Sequence, residues 1–289
     1  MPEAVQSNCL EAQRQLIRQT SISFLHPRCS IVQEQAMTTL TPIERVHDIW
    51  VKRDDHFQFA GASGGKARAC ARLLREAERG VVTASARQSP QAQIVARIAR
   101  HFGLPCRIHT ADGEDTAELQ KAALDGAEIV RHRPGYSSVI IARARADSDR
   151  RGWTLIPFGM ESADALDVTQ IQVRNLPPDT GRLVVPVGSG MTLAAILHGL
   201  QRRPDISITA PPVLAVQVGA DPTKRLDRWA PPGWRDQVTL ARSLLPYHRA
   251  PAVCDLQGIA LDPIYEAKCL PFLRPDDCFW IVARRSIRD

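Results

Sequence analysis

The chain has 289 residues, 44% of them hydrophobic and 24% charged, which is enough apolar material for one large or two ordinary globular domains and excludes a disordered chain. Its net charge is +6, and the 37 basic residues divide into 32 Arg and only five Lys (52, 66, 121, 224, 268), spread over the whole length; this admits a polyanionic partner or merely an arginine-rich composition. No apolar run reaches the roughly 18 residues of a membrane span, no signal pattern opens the chain, and the seven Cys lack paired spacing, so membrane-spanning and disulfide-stapled classes are excluded and a cytoplasmic chain with reduced thiols is expected.

Residues 1 to about 38 show no strong periodicity and read as an N-terminal extension, with a short helix at 11–18. A strand is expected at 48–53, then a glycine turn at 61–65 and a helix from Lys66 to about Arg79, closed by Gly80. The order continues as a strand at 81–84, a helix at 91–102, a strand at 106–109, a helix at 116–124, a strand at 127–130 and a helix at about 138–150. Pro90 falls at the start of the 91–102 helix, where its missing N–H is harmless. Such βαβ alternation predicts parallel sheet with right-handed crossovers. Further strands are expected at 154–157, 183–187, 213–218 and 279–283, with helical segments at 162–175, 193–200 and 264–270 and an irregular, Pro-rich stretch at 221–252.

Two local patterns carry chemistry. Ser63-Gly64-Gly65-Lys66-Ala67-Arg68 delivers a lysine to a helix start in a chain that otherwise writes arginine. Lysine can shed its proton and act as an amine nucleophile, which arginine cannot. Gly188-Ser189-Gly190-Met191-Thr192 follows the most strand-like run of the chain and opens a helix. Backbone N–H groups and the helix dipole there would hold a phosphate, although the same turn has a plainer reading as a tight connection. Together the two patterns point to a phosphate-bearing cofactor that forms an imine with Lys66. Cys106 and His109 are the nearest approach to a metal pair, and two ligands do not make a site, so no metal is expected.

At these motifs the chain resembles pyridoxal-phosphate enzymes of the tryptophan-synthase-β fold (fold type II), and among them the aminocyclopropane-carboxylate deaminase and D-cysteine desulfhydrase group. Five segments carry the likeness in order: residues 41–55, Ser63 to Arg68, Gln88-Ser89-Pro90-Gln91, Gly188 to Thr192, and Leu261-Asp262-Pro263-Ile264-Tyr265-Glu266-Ala267-Lys268. The resemblance implies an α/β chain with two open parallel-sheet domains and flanking helices. Its large cofactor domain would be built from 39–66 plus 177–289 and its small domain from 67–176.

It further implies pyridoxal 5'-phosphate held as an aldimine by Lys66, which then serves as base, with Ser89, Tyr265 and Tyr247 catalytic. Gly188, Ser189, Gly190, Met191 and Thr192 would hold the phosphate, and a homodimer is implied. Plainer readings stand beside these: a solvated lysine, an ordinary helix cap at Ser89, buried phenols at the two tyrosines.

The chain departs from the family pattern at three positions. Pro90 stands where the family has Asn, and Met191 replaces a loop glycine and is expected to narrow the phosphate site. If Arg284 takes the place of the family's Thr that faces the pyridine nitrogen, as a cofactor-binding residue, its permanent cation would keep that nitrogen unprotonated and weaken the electron sink. The resulting expectation is a pyridoxal-phosphate enzyme acting on a small amino-acid-like substrate, with lyase or deaminase chemistry. Two alternatives are the same chemistry on an amino-acid group carried by a macromolecule, such as a hypermodified DNA base, and a non-catalytic binding protein on this scaffold. A DNA or modified-nucleotide partner enters only with the first alternative, and no membrane partner is expected.

Overall fold

The computed structural model describes residues 37–203 and 210–283; the 11–18 segment, all but the last two residues of the expected extension, and Arg284 lie outside them. Strands β1 (Ile43–Val46) and β2 (Ile49–Arg53) form a hairpin, and the short β3 (Gln58–Phe59) and β4 (Ala62–Ser63) lead into helix α1 (Gly65–Leu74). There follow β5 (Val81–Ala84), α2 (Gln91–His101), β6 (Cys106–Ala111), α3 (Ala117–Leu124), β7 (Glu128–His132), α4 (Ser137–Arg151), β8 (Thr154–Ile156) and α5 (Ala163–Gln170). The last part holds β9 (Arg182–Val187), α6 (Met191–Gln201), β10 (Val213–Gln217), α7 (Thr223–Trp229), α8 (Trp234–Gln237), β11 (Val238–Arg242), β12 (Asp255–Leu256), β13 (Ile259–Ala260) and β14 (Asp277–Ile281).

These strands build a four-stranded sheet in the order β7-β6-β5-β8, parallel throughout, and a six-stranded sheet in the order β1-β2-β14-β9-β10-β11. In the larger sheet only the β1–β2 hairpin is antiparallel. Both sheets follow from the apolar runs: Val81 to Ala84 is buried at every position, as is Leu183 to Val187, the pattern of parallel strands covered on both faces.

One residue opens the larger sheet. The Val187 carbonyl accepts from the Val218 N–H at 2.9 Å on the β10 side, so Pro186, one residue earlier, turns its nitrogen toward β14. A proline nitrogen carries no donor, so it cannot extend a ladder. Pairing of β14 with β9 stops at Phe279 opposite Val184. The strands part just where Pro186, Val187, Gly188, Val282 and Ala283 line a cavity, at the carboxyl ends where open α/β sheets take ligands.

Several expected bounds shift. The helix after Lys66 ends at Leu74 instead of Arg79. Gly80 is no helix cap; a Cβ there would overlap the Trp153 indole, so the glycine serves close approach. The stretch 221–252 is not irregular throughout, because it supplies α7, α8 and the parallel edge strand β11. The segment after Tyr265 is a 3-10 helix, Glu266–Phe272, and the last strand ends at Ile281, before 283. No helix among the described residues is long and apolar enough to cross a membrane.

The smaller sheet carries a titratable cluster beneath α4. His109 is buried, with Nδ1 2.9 Å from His132 Nε2 and Nε2 3.0 Å from Asp147 Oδ2, so both ring nitrogens are engaged and Cys106 gains no metal partner there. Burial lowers the His109 pKa below its ordinary 6.5, with Asp147 opposing. Burial, then the neighbouring His109 and Arg143, lowers that of His132. Against burial, Arg107, His109, Arg151 and Arg150 hold the Asp147 carboxyl far below its ordinary value.

Groups with lowered histidine pKa bind fewer protons folded than unfolded, so stability falls as pH drops below the unfolded value. The unfolding temperature is therefore expected to drop between about pH 7 and about pH 5, and a His109→Gln/His132→Gln variant is expected to flatten that slope. An unchanged slope in the double variant would show that other groups set the acid sensitivity.

Candidate active site

Lys66 is the second residue of α1, and the turn before it is locked from three sides. Gly64 has φ 86, and a Cβ there would come within 2.6 Å of the Val282 carbonyl and the Ala283 Cβ. Gly65 donates its N–H to the Val282 carbonyl at 3.0 Å, so the end of β14 docks on the start of α1. One turn further in, Arg68 donates to both carboxylate oxygens of Asp54, at 2.6 and 3.1 Å, with both side chains wholly buried. The bidentate pair ties α1 to the end of β2.

The Lys66 amine then projects toward Ser89. Its Nζ donates to Ser89 Oγ at 3.5 Å and lies 6.0 Å from the centre of the Tyr265 ring. Ser89 is buried and its hydroxyl also accepts the Gln91 N–H at 3.3 Å, so it serves the start of α2 as well. Gln91 is buried and spans two elements: its Nε2 donates to Thr83 Oγ1 and the Pro157 carbonyl, and its Oε1 accepts the Gly159 N–H at 2.8 Å.

The glycine loop faces this cluster. Gly190 has φ 92 and precedes α6, whose first turn presents its free N–H groups at the loop. Gly188 is fixed by its neighbour, since a Cβ there would sit 2.8 Å from the Tyr265 ring. Gly188, Ser189, Gly190 and Thr192 line one cavity with Lys66, Tyr265 and Glu266. Met191 does not line it; its side chain is 5% exposed and buried in the core, so it does not narrow the loop as expected.

Tyr265 and Tyr247 meet hydroxyl to hydroxyl at 2.8 Å, their rings edge to face. Lys268 holds this pair from behind, donating to the carbonyls of Pro246 and Tyr247 at 2.8 and 2.9 Å. Asp262 accepts the N–H groups of Ile264 and Tyr265 at 2.7 and 3.0 Å, which shapes the turn that presents the phenol.

Glu266 had no role in the sequence reading beyond its place in a motif. It is 1% exposed; its Oε1 accepts the N–H groups of Val282 and Ala283 at 3.0 and 3.1 Å, while Oε2 has no hydrogen-bond partner among the described residues. Burial, then the charge of Asp262, pushes the carboxyl well above its ordinary range, against the pull of the two backbone donors. A buried carboxyl with one unsatisfied oxygen on a cavity wall is poised to share a proton with a ligand atom.

Lysine scarcity does not by itself pick out Lys66. Lys52 is fully buried, and burial lowers its pKa to about 8, yet its Nζ is spent on the Thr41 carbonyl and Asn175 Oδ1, both at 2.8 Å, and it lines neither cavity around Lys66. Of the sequence candidates, Lys66, Ser89, Tyr247, Tyr265, Gly188 and Ser189 line one cavity of about 300 Å³, which adjoins the glycine loop. The set fits a phosphate-bearing aromatic aldehyde: an amine, a helix-start cradle that no Cβ fills, and an unsatisfied carboxyl oxygen.

A family model described as "Pyridoxal-phosphate dependent enzyme" matches residues 31–256. Among curated proteins, none matches. Solved structures do: an aminocyclopropane-carboxylate deaminase homologue is 21% identical with a TM-score of 0.70, covering 85% of this chain and 89% of that one. Threonine deaminase isoform 2 from Solanum lycopersicum is 14% identical with a TM-score of 0.60, covering 90% and 86%. Maize serine racemase is 14% identical with a TM-score of 0.58, covering 89% and 94%. At these identities the likenesses speak for the fold.

Proposed function

Since the chain belongs to the family of pyridoxal-phosphate dependent enzymes, we propose that it acts on an amino acid or amino-acid-like substrate by lyase or deaminase chemistry. The observation that carries this reading is the convergence of Lys66, Ser89, Tyr247 and Tyr265 on one cavity beside the glycine loop. The reading includes the two domains 39–66 plus 177–289 and 67–176.

Lys66 would hold the cofactor's aldehyde carbon, the backbone N–H groups of Gly188 to Thr192 its phosphate, and Glu266 its ring nitrogen. Bound there, the cofactor supplies an electron sink for negative charge at the substrate α-carbon. Lys66 would take or return the proton at that carbon, and Ser89 Oγ within 3.5 Å orients the amine. Ser89, at the start of α2, binds the substrate carboxylate. Tyr265, hydrogen-bonded to Tyr247 and with its ring 6.0 Å from the Lys66 amine, supplies or accepts a proton on the side facing Lys66. A Glu266 carboxyl that shared its proton with the ring nitrogen would strengthen that sink. The expectation attached to Arg284 falls outside the described residues.

Glu266→Gln keeps an acceptor for the Val282 and Ala283 N–H groups and removes the shared proton. It is expected to retain cofactor while slowing exchange of the substrate α-proton for deuterium by about 10²-fold, measured by mass spectrometry. A rate equal to wild type would remove Glu266 from the reaction.

The function itself is tested by loading the protein with pyridoxal phosphate and offering D- and L-amino acids singly. A visible absorption band, its shift by a subset of amino acids, and release of ammonia with a keto acid are expected. Failure to form the band sinks the proposal; a band that no amino acid shifts turns it toward a binding protein.

A further inference from the structure

Phe158 and Arg225 also belong to the wall of the cavity that holds Lys66 and the tyrosines. The same two side chains line a neighbouring cavity of about 170 Å³, which also carries Arg145, Glu161, Arg228 and Trp229. The two spaces therefore adjoin, with Phe158 and Arg225 as their shared wall.

The second cavity is unbalanced in charge. Three guanidinium groups face one carboxylate, Glu161, whose Oε2 accepts Arg225 at 2.8 Å and whose Oε1 accepts Trp229 Nε1 at 2.9 Å and Arg228 at 3.4 Å. Those donors and the charges of Arg225 and Arg228 keep the Glu161 carboxyl below its ordinary range against the opposing effect of burial. One negative charge cannot neutralise three positive ones. Arg145 makes no hydrogen bond or ion pair with any described residue. Arg225 also donates to the Ser189 carbonyl at 2.8 Å, which links this wall to the glycine loop. The floor beneath is apolar and closed, with Ala144 and Ile156 at most 1% exposed.

A neutral amino acid in the Lys66 cavity would leave this wall without a counterion. We propose that the second cavity is an anion subsite and that the substrate is an amino acid carrying a second anionic group, a carboxylate or a phosphate, on a short side chain. The proposal rests on the amino-acid reading given above and names its substrate class. Arg145 and Arg228 receive the distal anion, and Arg225 stands between the two spaces. Lys66 and Ser89 act on the amino-acid end.

Half-saturation of the change in the visible band tests this with O-phosphoserine against serine and glutamate against glutamine, each as both enantiomers. An anionic member is expected to saturate at a concentration about tenfold lower than its neutral counterpart, the size of one charge-assisted contact. Which pair shows the gap distinguishes phosphate from carboxylate. In Arg145→Gln/Arg228→Gln the gap is expected to close while the neutral member is unchanged. Calorimetry of glutarate and of phosphate with the cofactor-loaded protein gives a second readout, in which binding is lost in the double variant.

Equal saturation by charged and neutral members, or a gap that survives the double variant, overturns the subsite while leaving the amino-acid reading intact. Absence of any band overturns that reading instead. A band moved by duplex DNA at low salt and by no free amino acid assigns the arginines to a polynucleotide and also overturns the proposal.

Discussion

Lys66→Ala is expected to lose the visible band of the cofactor-loaded protein and to slow α-proton exchange by at least about 10³-fold. The size of the effect follows from two roles resting on one amine, cofactor capture and proton transfer at the α-carbon. Lys66→Arg should fare no better, because a guanidinium stays protonated and has no nucleophilic nitrogen to offer. Neither substitution should unfold the chain: Lys66 is half-buried, and the turn before it is held by Gly64, Gly65 and the Asp54–Arg68 pair. Stability within about 1 kcal/mol of wild type is the accompanying expectation. Two outcomes would decide against Lys66: a band that persists in Lys66→Ala, or reductive trapping of the cofactor on another lysine. Lys52 is the natural control. It is the more deeply buried lysine, but its amine is consumed by Thr41 and Asn175, so Lys52→Met should alter stability and leave the band in place.

The residues visible from sequence were those whose role is set locally. A glycine turn before a helix announces itself by composition, and so Lys66 and the 188–192 loop were legible, as were the alternating strands and helices from 81 to 156. Where the role depends on what packs around a side chain, sequence says little. Glu266 differs from any helix-start glutamate only by its burial against Val282 and Ala283.

Met191 was placed in the loop by its position, whereas its side chain belongs to the core. Strand β11 escaped because an edge strand with Thr239 and Arg242 exposed shows neither a continuous apolar run nor a strong alternation. Arg145 and Arg225 are eighty residues apart in the chain and share a cavity only after α4 and α7 have folded. The opening of the sheet at Pro186 is intermediate: the proline is plain in the sequence, but its effect depends on which neighbour its nitrogen faces.

The ion pair beneath the Lys66 turn carries the largest expected effect on stability. Asp54 and Arg68 are wholly buried, joined by two hydrogen bonds, with Thr41 Oγ1 at 3.3 Å from Asp54 and the Arg68 guanidinium 4.5 Å from the Phe57 ring centre. Removing one partner leaves an unpaired charge where no water reaches it. Asp54→Ala or Arg68→Ala is therefore expected to cost about 3–5 kcal/mol, read from chemical denaturation. Replacing both by apolar residues of similar volume, Asp54→Leu with Arg68→Met, removes the stranded charge and should recover most of that loss.

The double variant separates stability from positioning. Asp54 Oδ2 lies 2.9 Å from where a Gly65 Cβ would be, so the pair also sets the height of the first turn of α1 against β2. If the pair serves folding alone, the stable double variant forms the cofactor band with wild-type affinity. The bidentate geometry predicts otherwise: with the fork gone, α1 can rotate, the Lys66 amine loses its approach to Ser89, and cofactor affinity falls by about tenfold although the protein remains folded.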